Sequence, residues 1–287
     1  KMSLSYTNFP VYIGSANGTT IDTADDWLTA TQVNVKYNTA PSPKRTLGST
    51  VATGDQFKFG QPLQADISFT SYIATETTEV GEGTCYTFTK ENNTSDFFPI
   101  QIGGNLFKSC YVKDYSVSVL PYQPVTVSAN FTSLDPPTGS GVASTAASPY
   151  ESAPAMMSSD AIVYGHTCTV NNMTDVVGAV QSQINYQRTF NRSPIYTLGS
   201  INATSMLLDG VESQMSITST GVNNLIDFSG NNVANDVSVS LQGSLGATNN
   251  ELSSIRIDAG ARVLSQDYSM AGGDTLVGSV TLREVSL

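Results

Sequence analysis

The sequence predicts an all-β protein, and three observations carry that expectation. Charged residues are scarce, short segments alternate apolar and polar residues, and helical periodicity is nearly absent. Charged residues are 13% of the 287-residue chain, against 39% hydrophobic ones. The ordinary charged share is about 25%, so Ser, Thr, Asn, Gln and Gly must cover much of the surface. Those residues suit sheet faces and turns better than surface helices, which favour Glu, Lys and Arg.

The alternation places individual strands. Tyr115–Leu120 and Val125–Phe131 alternate polar and apolar residues, and Pro121-Tyr122-Gln123-Pro124 between them predicts a hairpin turn. Val237–Leu241 and Ser254–Asp258 have the same period, as does Ala65–Thr70. Gly103-Gly104-Asn105 and Ala259-Gly260 supply turns after strands. Ala24–Leu28 and Met173–Val177 are the two places where a short helix or turn is expected.

The chain also repeats itself. Gln32-Val33-Asn34-Val35 is echoed by Gln183-Ile184-Asn185-Tyr186, and Pro43–Ser49 by Pro194–Ser200, both at an offset of 151 residues. Ala65–Thr70 then matches Ser213–Thr218, Ile100-Gln101-Ile102 matches Ile255-Arg256-Ile257, and Asp114-Tyr115-Ser116 matches Asp267-Tyr268-Ser269. Val125–Phe131 aligns with Val277–Arg283 near the end. Matches that keep one order over the whole length predict a tandem duplication. The expected domains are 1–136 and 159–287, joined by a Pro/Gly/Ser/Ala-rich linker at 137–158.

A net charge of -11 and a pI of about 4.3 argue against a protein that clamps phosphates. Such a charge can line a passage that nucleic acid slides through, or simply keep the protein soluble. Cys85, Cys110 and Cys168 are three in number and lack CxxC spacing, so free thiols are expected rather than a disulfide framework. No apolar run is long enough to span a membrane as a helix, and Lys1–Tyr6 lacks the apolar core of a signal peptide.

Residues for chemistry are missing. His166, with Tyr164 and Cys168 nearby, is the chain's one histidine. On a strand, positions 166 and 168 would point side by side with no third group to orient them. A zinc site needs more ligands. Neither a GxxxxGK[ST] phosphate loop nor a GxSxG nucleophile elbow occurs, and Asp227–Asn232 has the wrong spacing for an EF-hand. No catalytic residue, cofactor or metal site is assigned, and an enzyme is not expected.

Taken together, the repeated unit resembles the tail tube, or major tail, proteins of long-tailed bacteriophages. The resemblance rests on an early strand, a long loop carrying Pro-Lys-Arg-Thr-Leu-Gly-Ser (43–49) or its copy at 194–200, the strand from Ala65, and the closing strands Ser109–Ser116 and Val125–Ser128. It covers nearly the whole chain without any single diagnostic motif. It implies two tandem tail-tube-like β-sandwich or barrel domains and subunits that form stacked rings around a channel for DNA ejection. Because this chain is double, a trimer with pseudo-sixfold symmetry is the expected ring.

The resemblance also implies partners and roles. The chain would bind itself, with sheath, terminator and baseplate proteins as further partners and DNA as a transient, non-specific passenger. It would be made in the host cytoplasm and end in the virion. Pro43, Lys44, Arg45, Leu47, Pro194, Tyr196 and Leu198, in loops at 37–49 and 188–200, are the candidate contacts between subunits or rings. Asp66, Glu76, Glu79, Glu82 and Glu212 are the candidate acids of the lumen. The alternatives are another virion or surface component (initiator, neck, spike or surface layer), a tandem carbohydrate-binding module, and a glycosidase with paired carboxylates.

Overall fold

A computed structural model describes residues 11–21, 28, 30–38, 41–43, 57–59, 64–73, 97–135, 138–139, 162–171, 180–198, 200, 202–220, 236–242, 251–258, 260–269 and 277–286. Sixteen strands account for most of them. In chain order they are β1 (Val11–Ile13), β2 (Ala30–Asn38), β3 (Pro41–Pro43), β4 (Phe57–Phe59), β5 (Gln64–Tyr72), β6 (Phe97–Ile102), β7 (Asn105–Val119) and β8 (Thr126–Ser133). There follow β9 (Thr138–Gly139), β10 (Thr169–Asn171), β11 (Val180–Ile195), β12 (Ser205–Thr220), β13 (Val237–Gln242), β14 (Glu251–Ile257), β15 (Arg262–Ser269) and β16 (Val277–Ser286). The protein is all-β, as its alternating segments predict. Among the described residues the one helical element is a 3₁₀ turn, Gly165–Thr167.

The expected hairpin forms between β7 and β8, with Val117 opposite Val127 and the turn at 120–125. The Gly103 turn joins β6 to β7 with φ of +56°, and Gly260 leads into β15 with φ of +89°. Both conformations cost a side-chain-bearing residue more than glycine. The two short helices expected at Ala24–Leu28 and Met173–Val177 lie outside the described residues, apart from Leu28, which is buried and not helical. Most of the linker 137–158 is outside them as well. Thr138 and Gly139, however, pair with Leu106 and Asn105 of β7. Val163, at the start of the expected second domain, is fully buried against the first: its N–H donates to Ile73 O, and Val125 N–H donates to Val163 O.

The dominant element is one antiparallel sheet with the strand order β15-β16-β12-β11-β7-β8-β5-β2. Its two halves follow one plan: β2-β5-β8-β7 on one side and β11-β12-β16-β15 on the other. The register agrees residue by residue. Val35 faces Ile67 and Ile67 faces Phe131, while Tyr186 faces Met215 and Met215 faces Leu282. Even a bulge recurs, between Val112 and Asp114 opposite β8 and between Val263 and Ser265 opposite β16.

This register corrects two of the sequence alignments. Phe131 corresponds to Leu282, one residue away from the match expected of Val125–Phe131 with Val277–Arg283. Asp114-Tyr115-Ser116 corresponds to Ser265-Gln266-Asp267, not to the look-alike Asp267-Tyr268-Ser269. A one-residue slip would turn Leu282 outward, and burial of one face does not allow that.

Alternate residues of β5, β7, β8, β11, β12 and β16 enter a single core. Ile67, Phe69, Phe98, Phe131, Val117, Tyr115, Ile184, Tyr186, Met215, Ile217, Val280 and Leu282 are all buried there. Phe131 stacks on Phe69 at 5.5 Å and meets Phe98 edge-on at 6.4 Å. A second layer covers the core, made of β1 and β6 in the first half and the separate sheet β10-β13-β14 in the second. Cys110 is a buried thiol and Cys168 a half-buried one; Cys85 lies outside the described residues.

The two halves meet where β7 pairs with β11, from Asp114↔Thr189 to Val119↔Ile184. Tyr115 and Tyr186 pack across this joint at 6.0 Å, and Arg188, only 9% exposed, hydrogen-bonds Tyr115. Burial raises the phenol pKa values of Tyr115 and Tyr186 above the ordinary 10.0. Burial likewise holds the Cys110 thiol well above its usual 9.0. Groups held neutral in the fold stabilise it below their unfolded pKa, and that contribution is lost as pH rises and the unfolded chain ionises first. Stability in urea is therefore expected to hold from neutrality towards pH 9 and to fall above it, with Tyr115→Phe blunting the fall above pH 10; circular dichroism at stepped pH checks this.

Candidate functional site

Among the described residues, the face of the large sheet opposite the core is mainly polar. Asn34, Ser68, Thr70, Ser128, Asn130, Ser116, Asn185, Gln187, Gln214, Ser216, Thr218 and Thr281 line it, as strand alternation requires. Hydroxyls and amides bond one another across strands: Thr70 to Ser128 at 3.0 Å, and Asn130 to the Asp114 carboxylate at 2.6 Å.

Two of the sequence-predicted acids lie on this face, each beside a cation. Asp66 sits 3.7 Å from Lys113, and Glu212 receives two bonds from Arg283, at 2.7 and 2.9 Å. With Lys36 and Asp267 also here, the face carries mixed charge rather than the run of unpaired acids that the net charge suggests. The pairs are exposed enough that each adds little stability. Glu76, Glu79 and Glu82 lie outside the described residues.

The loop residues divide. The segment 188–200, expected as a loop, is strand as far as Ile195. β11 and β12 run on beyond their neighbours as a paired arm, Arg192↔Leu208 to Ile195↔Ser205, and the loop proper begins at Tyr196. The strand persists because an antiparallel partner satisfies its backbone even where the sheet has ended. Pro194 therefore lies within β11, opposite Met206. The arm's tip is apolar and open to solvent: Ile195, Tyr196 and Leu207 are about half exposed and Leu198 wholly so. In the first half, Pro43 lies in the matching ribbon β3–β4, opposite Phe57. Lys44, Arg45 and Leu47 are outside the described residues.

The second half's arm is fastened to the first half. Arg192 Nε donates to Val112 O at 2.9 Å, its guanidinium lies over the Tyr111 ring at 5.5 Å, and Gln64 Nε2 donates to Tyr196 Oη at 2.8 Å. At the edge of the sheet, beside β15, an open groove of about 690 Å³ is lined by Arg262, Val263, Leu264, Arg283 and Val285, among others.

His166 does not sit side by side with Cys168 on a strand. It occupies the 3₁₀ turn, exposed and stacked on Tyr122 at 5.3 Å, with Tyr164 at 5.7 Å. The turn fits because Gly165 approaches the Leu120 carbonyl so closely that a Cβ would lie 2.1 Å from its oxygen. The Cys168 thiol donates to Tyr164 O. Among the described residues no group of three or more His, Cys, Asp or Glu is placed to hold a metal, and no helix is long and apolar enough to cross a membrane.

The strand order leaves the large sheet with two edges. Among the described residues β2 and β15 end the strand order, each paired there on one side. No family model and no curated protein matches the chain.

Proposed function

We propose that the chain is a tandemly duplicated structural subunit that joins head to tail into closed rings, and that the rings stack into a tube of the phage tail type. One observation carries this reading. The joint between the halves is made by β7 and β11, and the edges left over, β15 and β2, are their counterparts in the shared plan. An edge-to-edge contact of this kind is heterologous, so repetition must either close or run on without end. Three chains supply six equivalent four-strand units, the ring expected from the resemblance to tail tube proteins.

The polar face supports a passage for DNA. It presents hydroxyls, amides and paired charges, whereas tight binding of a polyanion needs a surplus of Lys and Arg. The apolar tip at Ile195, Tyr196 and Leu198 supports a contact with a neighbouring subunit or ring, since single monomers seldom leave such tips uncovered. A role in another ring-forming part of a virion rests on the same edges.

Negative-stain electron microscopy of the purified chain over a range of concentrations tests the reading. Rings or hollow tubes with an open channel are expected. A monomer at every concentration, with glycans retained on an array, would replace it with the binding-module alternative.

A further inference from the structure

Resting on that assembly reading, the structure assigns the inter-chain joint a specific register: β15 of one chain pairs antiparallel with β2 of the next so that Asp267 faces Lys36. The internal joint is the template. There Val117 faces Tyr186, Ser116 faces Gln187, and Tyr115 faces Arg188. The shared plan carries these positions to Tyr268, Asp267 and Gln266 on β15, and to Val35, Lys36 and Tyr37 on β2. Carried over unchanged, the pairing sets Tyr268 against Val35, Asp267 against Lys36, and Gln266 against Tyr37, with Ser269–Asn34 and Ser265–Asn38 on either side.

Four features agree with this pairing. The aromatic–β-branched pair survives with its sides exchanged: valine on β7 faces tyrosine on β11, and tyrosine on β15 would face valine on β2. Cross-strand pairs of this kind stabilise a sheet. Next to it, a neutral Ser–Gln pair becomes an aspartate opposite a lysine. Sliding the strands by two residues would set Lys36 against a serine and Asp267 against an asparagine, so the charges select one register. Both side chains are exposed in the single chain, and Lys36 has Asp66 as its neighbour on β5.

Burial points the same way. Tyr186 and Val117 are 2% and 1% exposed in the internal joint, whereas of their counterparts Val35 is 37% exposed and Tyr268 half-buried. The groove beside β15 completes the match. Its Arg262 and Val263 are the counterparts of Tyr111 and Val112, which Arg192 covers in the internal joint. The counterpart of Arg192 is Pro41, at the start of the β3–β4 ribbon, so the neighbour's ribbon is the occupant that the groove fits.

Charge reversal and cross-linking of the full chain test the register. Lys36→Asp and Asp267→Lys are each expected to raise the concentration needed for assembly at least about tenfold, and the double variant K36D/D267K to restore it. A short bis-maleimide is expected to link V35C chains to Y268C chains in a mixture, while each alone links no more than the wild type does. Rings that form with neither the charge dependence nor the cross-link would overturn the register and leave the assembly reading standing. A wild-type chain that never assembles, with no link in the mixture, would remove both.

Discussion

Phe131→Ala is expected to destabilise the chain by about 3–5 kcal/mol, the range for emptying a fully buried phenylalanine site. The side chain has no exposed surface and touches both layers, stacking on Phe69 and meeting Phe98 edge-on. It also lies between Ile67 of β5 and Val112 of β7, so neither neighbouring strand can move in to fill the space without giving up its own register. Net stabilities of domains are about 5–15 kcal/mol, which makes this loss a large part of the total. Urea unfolding followed by circular dichroism measures it; a loss under about 1 kcal/mol would mean that the site collapses freely. The counterpart Leu282→Ala should cost about 2–5 kcal/mol. Because the β7–β11 joint makes the two halves one sheet, both variants are expected to shift the same single transition. Two separated transitions would mean that the joint is weaker than the core on either side.

Val35→Lys is expected to abolish assembly while leaving the single chain folded. Val35 is 37% exposed at an edge, and surface substitutions of that kind usually change stability by no more than about 0.5 kcal/mol. A lysine there would carry its charge into the contact with the next chain, the device by which natural sheets keep edges from pairing. The same substitution at Tyr186 should behave differently, because that counterpart is buried inside the chain next to Arg188. It would bury an ammonium beside a cation and unfold the joint. Sedimentation velocity for assembly, with thermal melting for folding, separates the two outcomes. Val35→Lys chains that still form rings would rule out β2 as the assembling edge.

In the proposed register the two joints differ in composition. Inside the chain, Tyr115, Tyr186, Arg188, Phe190 and Arg192 build a dense aromatic and guanidinium cluster, with Arg192 over Phe190 at 5.3 Å. In the proposed outer joint Gln266 stands in the place of Tyr115 and Val35 in that of Tyr186.

Much of the fold is legible from residue order alone, because a β-strand writes its period into the sequence. Tyr115–Leu120, Val125–Phe131 and Val237–Leu241 alternate because one face is buried and the other is not, and no distant partner is needed to see it. The echo of Gln32–Val35 at Gln183–Tyr186 likewise survives as text. Register is less secure. Asp267-Tyr268-Ser269 imitates Asp114-Tyr115-Ser116 in letters, yet only cross-strand pairing with a buried β16 decides which residues correspond. The candidate site divides in the same manner. Tyr196 and Leu198 can be picked out as exposed residues of a repeated segment, whereas the pairing of Asp66 and Glu212 with Lys113 and Arg283 depends on strands far apart in the chain. What the sequence determined by itself is therefore the all-β character and the repeated pattern, since both follow from local alternation. The joining of β7 to β11, and with it the two matching edges, was decided by tertiary structure, because an edge finds its partner through the packed core and not through its neighbours in the chain.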